Sequence, residues 1–374
     1  MKIFIDIGHP AHVHYFKFFV QQMKEKGHAV TIVSRDKEVT FQLLDFYKLS
    51  YTGRGKGRKG FLGKLFYILK ADTILLRKAR QVKPDVFVSF GSPYAAHTAW
   101  LMRKPHIAFD DTDNNFFEHI LYVPFTKAIL TPEVYRKDFG KKHVRFNGFM
   151  ELSSTHPNVF TPHPEQIEKL LTISPDEKYI VLRFVSWKAS HDMGLEGLSM
   201  EEKYRLVAEL SVHARVIISS ESDLPEDLRQ YAYSIHPALM HDLLGRASLL
   251  ISESLTMSAE ASFLGTPNIC ISPAEAGTLD EEVRLGLIEL YRSSDGIIER
   301  AREIIQDAQS KSNFAAKSAR IVKEKIDLSA LMVWFVENYP NSLKTLQDNR
   351  DFQNRFQMTH SPTTQMVSTV FPTL

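Results

Sequence analysis

A single cysteine, Cys270, stands in a chain of 374 residues. No disulfide can form within one chain, so a disulfide-stapled scaffold is excluded and a reducing cytoplasm is the expected compartment. No apolar run reaches the ~18 residues that a membrane span needs. The opening MKIFIDIG enters a strand directly, without a basic-then-apolar leader, so export is not expected. Neither sign of charge dominates: 46 Lys and Arg offset 44 Asp and Glu, for a formal +2. That balance gives no reason to expect a nucleic-acid partner. The first strand lacks GxGxxG, which argues against a dinucleotide redox cofactor, and the second half opens on no Walker loop. No cofactor and no metal centre are expected. What the chain does have is 44% hydrophobic and 24% charged residues, a globular composition too long for one small core. Two domains follow.

The first half reads as alternating strands and helices. Lys2–Ile7 is a strand, and GHPAHVHYFK turns it into a helix. His9, His12 and His14 therefore gather at the carboxyl end of the first strand, where open α/β sheets bind ligands. An imidazole there can serve as general base, and H-x-x-H-x-H can also bind metal, although no matching cysteine or H-E-x-x-H helix accompanies it. Single histidines as readily have packing roles. Gly53–Arg80 holds nine lysines or arginines against one acid, Asp72. Leu62, Leu65, Phe66 and Leu69 recur in it at helical spacing. Such a piece can lie on an anionic membrane or receive a lipid acceptor; an ordinary surface helix explains it too. His106–Phe109 is a strand that ends in Asp110-Asp111-Thr112-Asp113. Those carboxylates suit acid/base work, sugar hydroxyls or a cation, and equally a capped turn.

The segment Val144–Phe149 leads into a Pro- and His-rich stretch, the natural boundary. The domains are thus expected at 1–150 and 165–325. A helix within 326–345 would pack across both, and a polar, disordered tail would run over 346–374. Strand Tyr179–Val185 carries Arg183 and runs into a loop with Lys188; both can pair with a diphosphate. His236 precedes a helix and can sit beside a base. Leu249–Ser272 reads strand, turn, helix, Gly-x-Pro break, strand. Ser252, Ser254, Thr256 and Met257 place hydroxyls and free N–H groups at a helix N-terminus, a seat for phosphate. Glu260 follows one turn later, placed to accept sugar hydroxyls. A plain β-α-β unit with a polar turn has the same residues. Ala274–Asp280 reads as loop.

GHPAHVHYFK, KPDVFVSFGSP, FDDTD and SESLTMSAEASFLGTP together resemble a bacterial and archaeal family of unknown function whose members are described as glycosyltransferases. By element order over about 1–340 the chain also resembles the GT-B architecture of MurG and of UDP-N-acetylglucosamine 2-epimerases. The resemblance implies two doubly wound, Rossmann-like α/β domains facing across a cleft. A nucleotide-sugar, with UDP the expected nucleotide, would place its diphosphate near Ser254–Met257 and its ribose near Glu260. Leu255 departs from the pattern, which has Gly there, and a side chain at that point narrows the approach. The expected activity is sugar transfer, in surface-polysaccharide or glycoconjugate synthesis, to an acceptor that a lipid can carry. His9, His12, His14, Asp110 or Asp111 would be the base. Peripheral contact with the inner membrane face would run through 54–80. A UDP-sugar 2-epimerase and a catalytically silent nucleotide-sugar-binding protein are the alternatives.

Overall fold

A computed structural model of the chain describes residues 1–57, 60–185, 197–233 and 235–358, with the side chains at 61, 62, 64 and 65 outside that description. The chain divides into two compact units, one of Met1–Val159 with the segment from Lys325 onward, the other Phe160–Glu324. Among the described residues no helix is long and apolar enough to cross a membrane.

The first unit is built on seven parallel strands: β1 (Lys2–Ile7), β2 (Ala29–Ser34), β3 (Tyr51–Gly53), β4 (Val86–Phe90), β5 (His106–Phe109), β6 (Ala128–Pro132) and β7 (His143–Phe146). Their order is β3-β2-β1-β4-β5-β6-β7. Short apolar runs such as IFI and VFV are buried on both faces, as helix-covered parallel strands must be. The sheet grows outward in opposite directions from β1 and β4, so the switch point lies between their carboxyl ends.

The second unit repeats the plan with β8 (Tyr179–Phe184), β9 (Arg215–Ser220), β10 (Leu249–Ser252), β11 (Asn268–Ile271) and β12 (Glu289–Tyr291), in the order β12-β11-β10-β8-β9. Its switch point separates β8 from β10. The helix Ile297–Gln306 seals one face by burying Ile297, Ala301, Ile304 and Ile305, a stripe at helical spacing. Each such side chain contributes about 1.5–3 kcal/mol by leaving water.

Two local readings are corrected, and short strands that the sequence did not mark are added. Strands β3 and β12 have three residues each and lie at sheet edges, too short to show a periodicity. The stretch Ala274–Asp280 is only partly loop, because a helix begins at Gly277 and buries Leu279. The tail is ordered well past 346. Helix Asn341–Asp348 and the 3-10 segment Arg350–Phe356 follow, because Trp334 packs on Phe352 and Phe356 with ring centroids 4.7 and 5.7 Å away. The rest of the expected tail, 359–374, lies outside the described residues. The helix Leu328–Glu337 packs on the helices Pro10–Glu25 and Leu152–Thr155 within the first unit. Its buried residues include Leu328, Leu331, Met332, Phe335 and Val336.

Candidate functional site

At the second unit's switch point a polar row crosses three strands, with Ser252 beside Arg183 and Arg183 beside Ser219. The helix Leu255–Phe263 starts there, capped by Ser254, whose Oγ accepts from the Met257 N–H at 3.3 Å. Ser252 spends its hydroxyl inside the turn: it donates to Ser254 O and accepts the Ser254 N–H at 2.8 Å. Among the described residues the N–H groups of Leu255 and Thr256 have no hydrogen-bond partner. Two amides and the half-exposed Thr256 side chain thus stand at the positive end of a helix. The Leu255 side chain packs on the small cluster of Cys270, Leu279 and Ile288. Gly265 ends this helix in a left-handed conformation, φ +78°, and a Cβ there would come within 3.2 Å of the Ala315 backbone. That is the role its position after the helix suggests.

The other donor candidates are engaged. Arg183 donates to Ser219 Oγ at 3.0 Å and to Glu221 Oε1 at 2.6 Å, while its buried Nε has no partner among the described residues. Glu260 is buried and meets His241 Nε2 at 3.1 Å. His236 caps a 3-10 turn through Nδ1, which accepts the Ala238 N–H, and burial lowers its pKa. Lys188, with His191 and Asp192, lies outside the described residues.

The first unit's switch point holds the histidines. His9 is the N-cap of the helix Pro10–Glu25 and accepts the Ala11 N–H at Nδ1. His14 is buried edge-on to Tyr47 and belongs to helix packing. His12 accepts the Gly8 N–H at Nδ1, 3.3 Å, and rests on Phe90, 4.7 Å between centroids. That bond leaves the proton on Nε2. Burial, then the Lys37 and Arg54 cations, push its pKa down to about 3. His12 is therefore a neutral hydrogen-bond donor, and the general-base reading does not suit it. Beneath it, Asp6 is fully buried in a two-point pair with Arg54, at 2.9 and 3.2 Å. Ser92 Oγ also donates to Asp6, at 2.5 Å, and caps the helix Pro93–Leu101.

The acidic turn after β5 divides its labour. Asp110 accepts from the Thr112 N–H, from Tyr122 Oη at 2.5 Å and from His119 Nε2 at 3.1 Å. So occupied, it is an anchor more than a base. Gly91, beside Tyr122 and Asp110, takes φ +51°, a left-handed conformation that favours glycine. Asp111 is different. Burial first, then the Glu151 and Asp110 charges, raise its pKa well above the ordinary carboxylate range, against a hydrogen bond from Thr112. Glu151 is itself buried and accepts from Tyr15 Oη at 3.3 Å. A carboxyl so raised keeps its proton to a higher pH than an ordinary one, a setting found at acid/base sites. Among the described residues no three metal-binding side chains come together.

Four residues of these sites escaped the sequence reading: Asp6, Arg54, Glu151 and Glu253. Asp6 had a signal, an acid inside the apolar strand KIFIDI. Glu253 had one too, since it lies between Ser252 and Ser254. Its buried carboxylate accepts the N–H of Val185, just after β8, at 2.8 Å and of Leu198 at 2.6 Å. Arg54 and Glu151 had none, because only tertiary contact brings them to their partners.

Two parallel sheets with polar switch points match the comparisons. The sequence fits the family described as Protein of unknown function (DUF354) across residues 1–341. The chain belongs to that family. A family-sized relative, an uncharacterised protein of Methanocaldococcus jannaschii, is 23% identical over 293 residues, 75% of this chain and 84% of its own. Among solved structures, the UDP-GlcNAc 2-epimerase of Neisseria meningitidis bound to UDP-GlcNAc is similar with a TM-score of 0.60 at 13% identity, covering 89% of this chain and 100% of that one. The glycosyltransferase VinC in complex with dTDP is similar with a TM-score of 0.55 at 14% identity, covering 92% and 100%. At such identities the likeness is one of fold. The fold is α/β and GT-B-like, with two Rossmann-type sheets.

Proposed function

We propose that the protein is a glycosyltransferase that draws its sugar from a nucleoside-diphosphate donor, with UDP as the nucleotide. The observation that carries this reading is the mouth of the Leu255–Phe263 helix, with two unbonded amides at the switch point and Leu255 packed on Cys270. Hydrogen bonds from such N–H groups to a charged phosphate oxygen are worth about 1.5–3 kcal/mol each. Arg183 would exchange Glu221 for the diphosphate and so offset the charge that builds on the leaving group, a task the sequence also suggests for Lys188. Glu260 would receive the ribose hydroxyls. In the first unit Asp111 would take the acceptor's proton, Glu151 keeping its pKa high, while His12 Nε2 donates to substrate. Titration calorimetry with UDP tests the donor site. The wild type should bind, and Thr256→Glu, which sets a carboxylate at the amides, should weaken binding at least ~10-fold, about 1.4 kcal/mol. No heat from the wild type at millimolar UDP would end the reading.

One observation favours a second chemistry, UDP-sugar 2-epimerisation. Asp111, whose pKa is raised by burial and by the charges of Glu151 and Asp110, is the kind of group that moves a proton on and off a sugar carbon. Deuterium from solvent entering C2 of a UDP-sugar, with no acceptor present, would select epimerisation over transfer.

A further inference from the structure

Three neighbouring helices of the first unit leave large apolar side chains in water. Helix Phe61–Val82 packs on helix Pro93–Leu101, which in turn packs on helix Phe116–Tyr122. His97 fastens all three, with Nδ1 3.0 Å from Asp72 Oδ2 and Nε2 3.0 Å from Leu121 O. On their outer faces Phe66, Leu69, Trp100, Phe116 and Ile120 are more than half exposed, and Phe117 is 77% exposed. Helix Phe61–Val82 already has its inner stripe, because Tyr67, Ala71, Leu75 and Ala79 are buried at four-residue spacing. The exposed residues lie outside that stripe and keep more than half of their area in water, although Trp100 also meets Phe125 and Phe116 meets Phe117. Proteins seldom leave such a face uncovered without a partner.

Charge says which partner. Lys70, Arg77 and Arg80 are exposed on the first helix, and Arg103 and Lys104 directly follow the second. Beside the third, Lys137 Nζ stands 5.7 Å from the centre of the Phe116 ring. Against these cations stand Glu118, exposed, Asp85, which lies 4.0 Å from Lys104, and Asp72, which is held by His97. A second copy of the chain would bring the same cations to a two-fold interface, where they repel. An anionic lipid surface attracts them, at about 1 kcal/mol per Lys or Arg near the surface.

We propose that the outer side of these three helices is a docking face for an anionic lipid bilayer, with Phe116, Phe117 and Ile120 entering the headgroup boundary and the cations meeting the phosphates. This deepens the transferase reading by giving the acceptor a chemistry, that of a lipid-linked molecule. The test involves no sugar chemistry, so the two readings can fail separately.

The full chain is floated with vesicles of phosphatidylglycerol and phosphatidylethanolamine, and with vesicles of phosphatidylcholine alone. The wild type should rise with the anionic vesicles and fall back at high salt. Phe117→Ser with Ile120→Ser should reduce binding at least ~10-fold, and Arg77→Glu with Arg80→Glu should do the same. All four positions are on the surface, and unchanged near-ultraviolet circular dichroism verifies the fold. Wild type that stays with the buffer at low salt, or variants that float as well as wild type, would overturn the proposal. So would a dimer in sedimentation velocity that Phe117→Ser dissolves, since the face would then belong to a second copy.

Discussion

Replacing Asp111 by Asn takes away a carboxyl that the fold holds above its ordinary pKa by burial and by Glu151 and Asp110. Because its folded pKa is raised, its stabilising contribution is complete below the ordinary carboxylate pKa and disappears as pH climbs through the raised value. Asp111→Asn should accordingly match wild type near pH 4 and be the more stable protein at pH 8. The expected gain is about 2–4 °C in melting temperature, modest because Asp111 is only partly shielded from water. Turnover should fall about 10²–10⁴-fold in the same variant, as for loss of an acid/base group. A melting curve unchanged at both pH values would remove the physical basis for that role. Asp6 and Arg54 behave oppositely, as a buried pair whose members need each other. Arg54→Met should cost about 3–5 kcal/mol in urea unfolding, and adding Asp6→Ala should return part of it. At this scale the sequence shows residue types and hides partners. The aspartate in KIFIDI is conspicuous, yet nothing near it names Arg54, which is 48 positions away.

The helix Leu255–Phe263 and its turn act as one element. Leu255 looks obstructive in the sequence, where a glycine would leave the amides open. In the structure its side chain contributes to the Cys270 cluster instead. Leu255→Gly should therefore cost about 2–3 kcal/mol of stability, from lost packing and added chain entropy, and leave UDP affinity unchanged. Tighter UDP binding by that variant would mean that Leu255 does narrow the mouth. Glu253 joins this turn to Val185 and Leu198. Glu253→Ala should speed amide exchange at Val185 and Leu198 more than ~10-fold while exchange in β11 stays as it was, since each N–H loses a charged acceptor worth about 1.5–3 kcal/mol. The stop at Gly265-Thr266-Pro267 was legible, because helix-breaking chemistry is local, whereas Ser254, read as part of a phosphate seat, proved to be the cap. The direction of the Leu255 side chain was not, because neighbouring elements decide it.

On the scale of the whole molecule, the segment from Lys325 returns to complete the first unit. Ser329 Oγ donates to Ser153 O at 2.7 Å, and Lys26 and His28 hold Glu337 at 2.9 and 2.8 Å. Ending the chain after Glu324 would uncover the partners of Leu328, Leu331, Met332, Phe335 and Val336. At about 1.5–3 kcal/mol each, that loss rivals the net stability of a domain. Calorimetry should then show the first unit's transition lost and the second's kept; two intact transitions would show that the returning segment is dispensable. The sequence alone determined the two β-α rhythms, nine of the strands and the hydroxyl-bearing turn after β10, because periodicity, caps and breakers act within a few residues. Only the tertiary structure decided which candidate groups are free to react. Whether a histidine nitrogen, a carboxylate or an arginine is already bonded depends on residues tens of positions away, and burial, which sets the pKa values of His12 and Asp111, is a property of the packed chain.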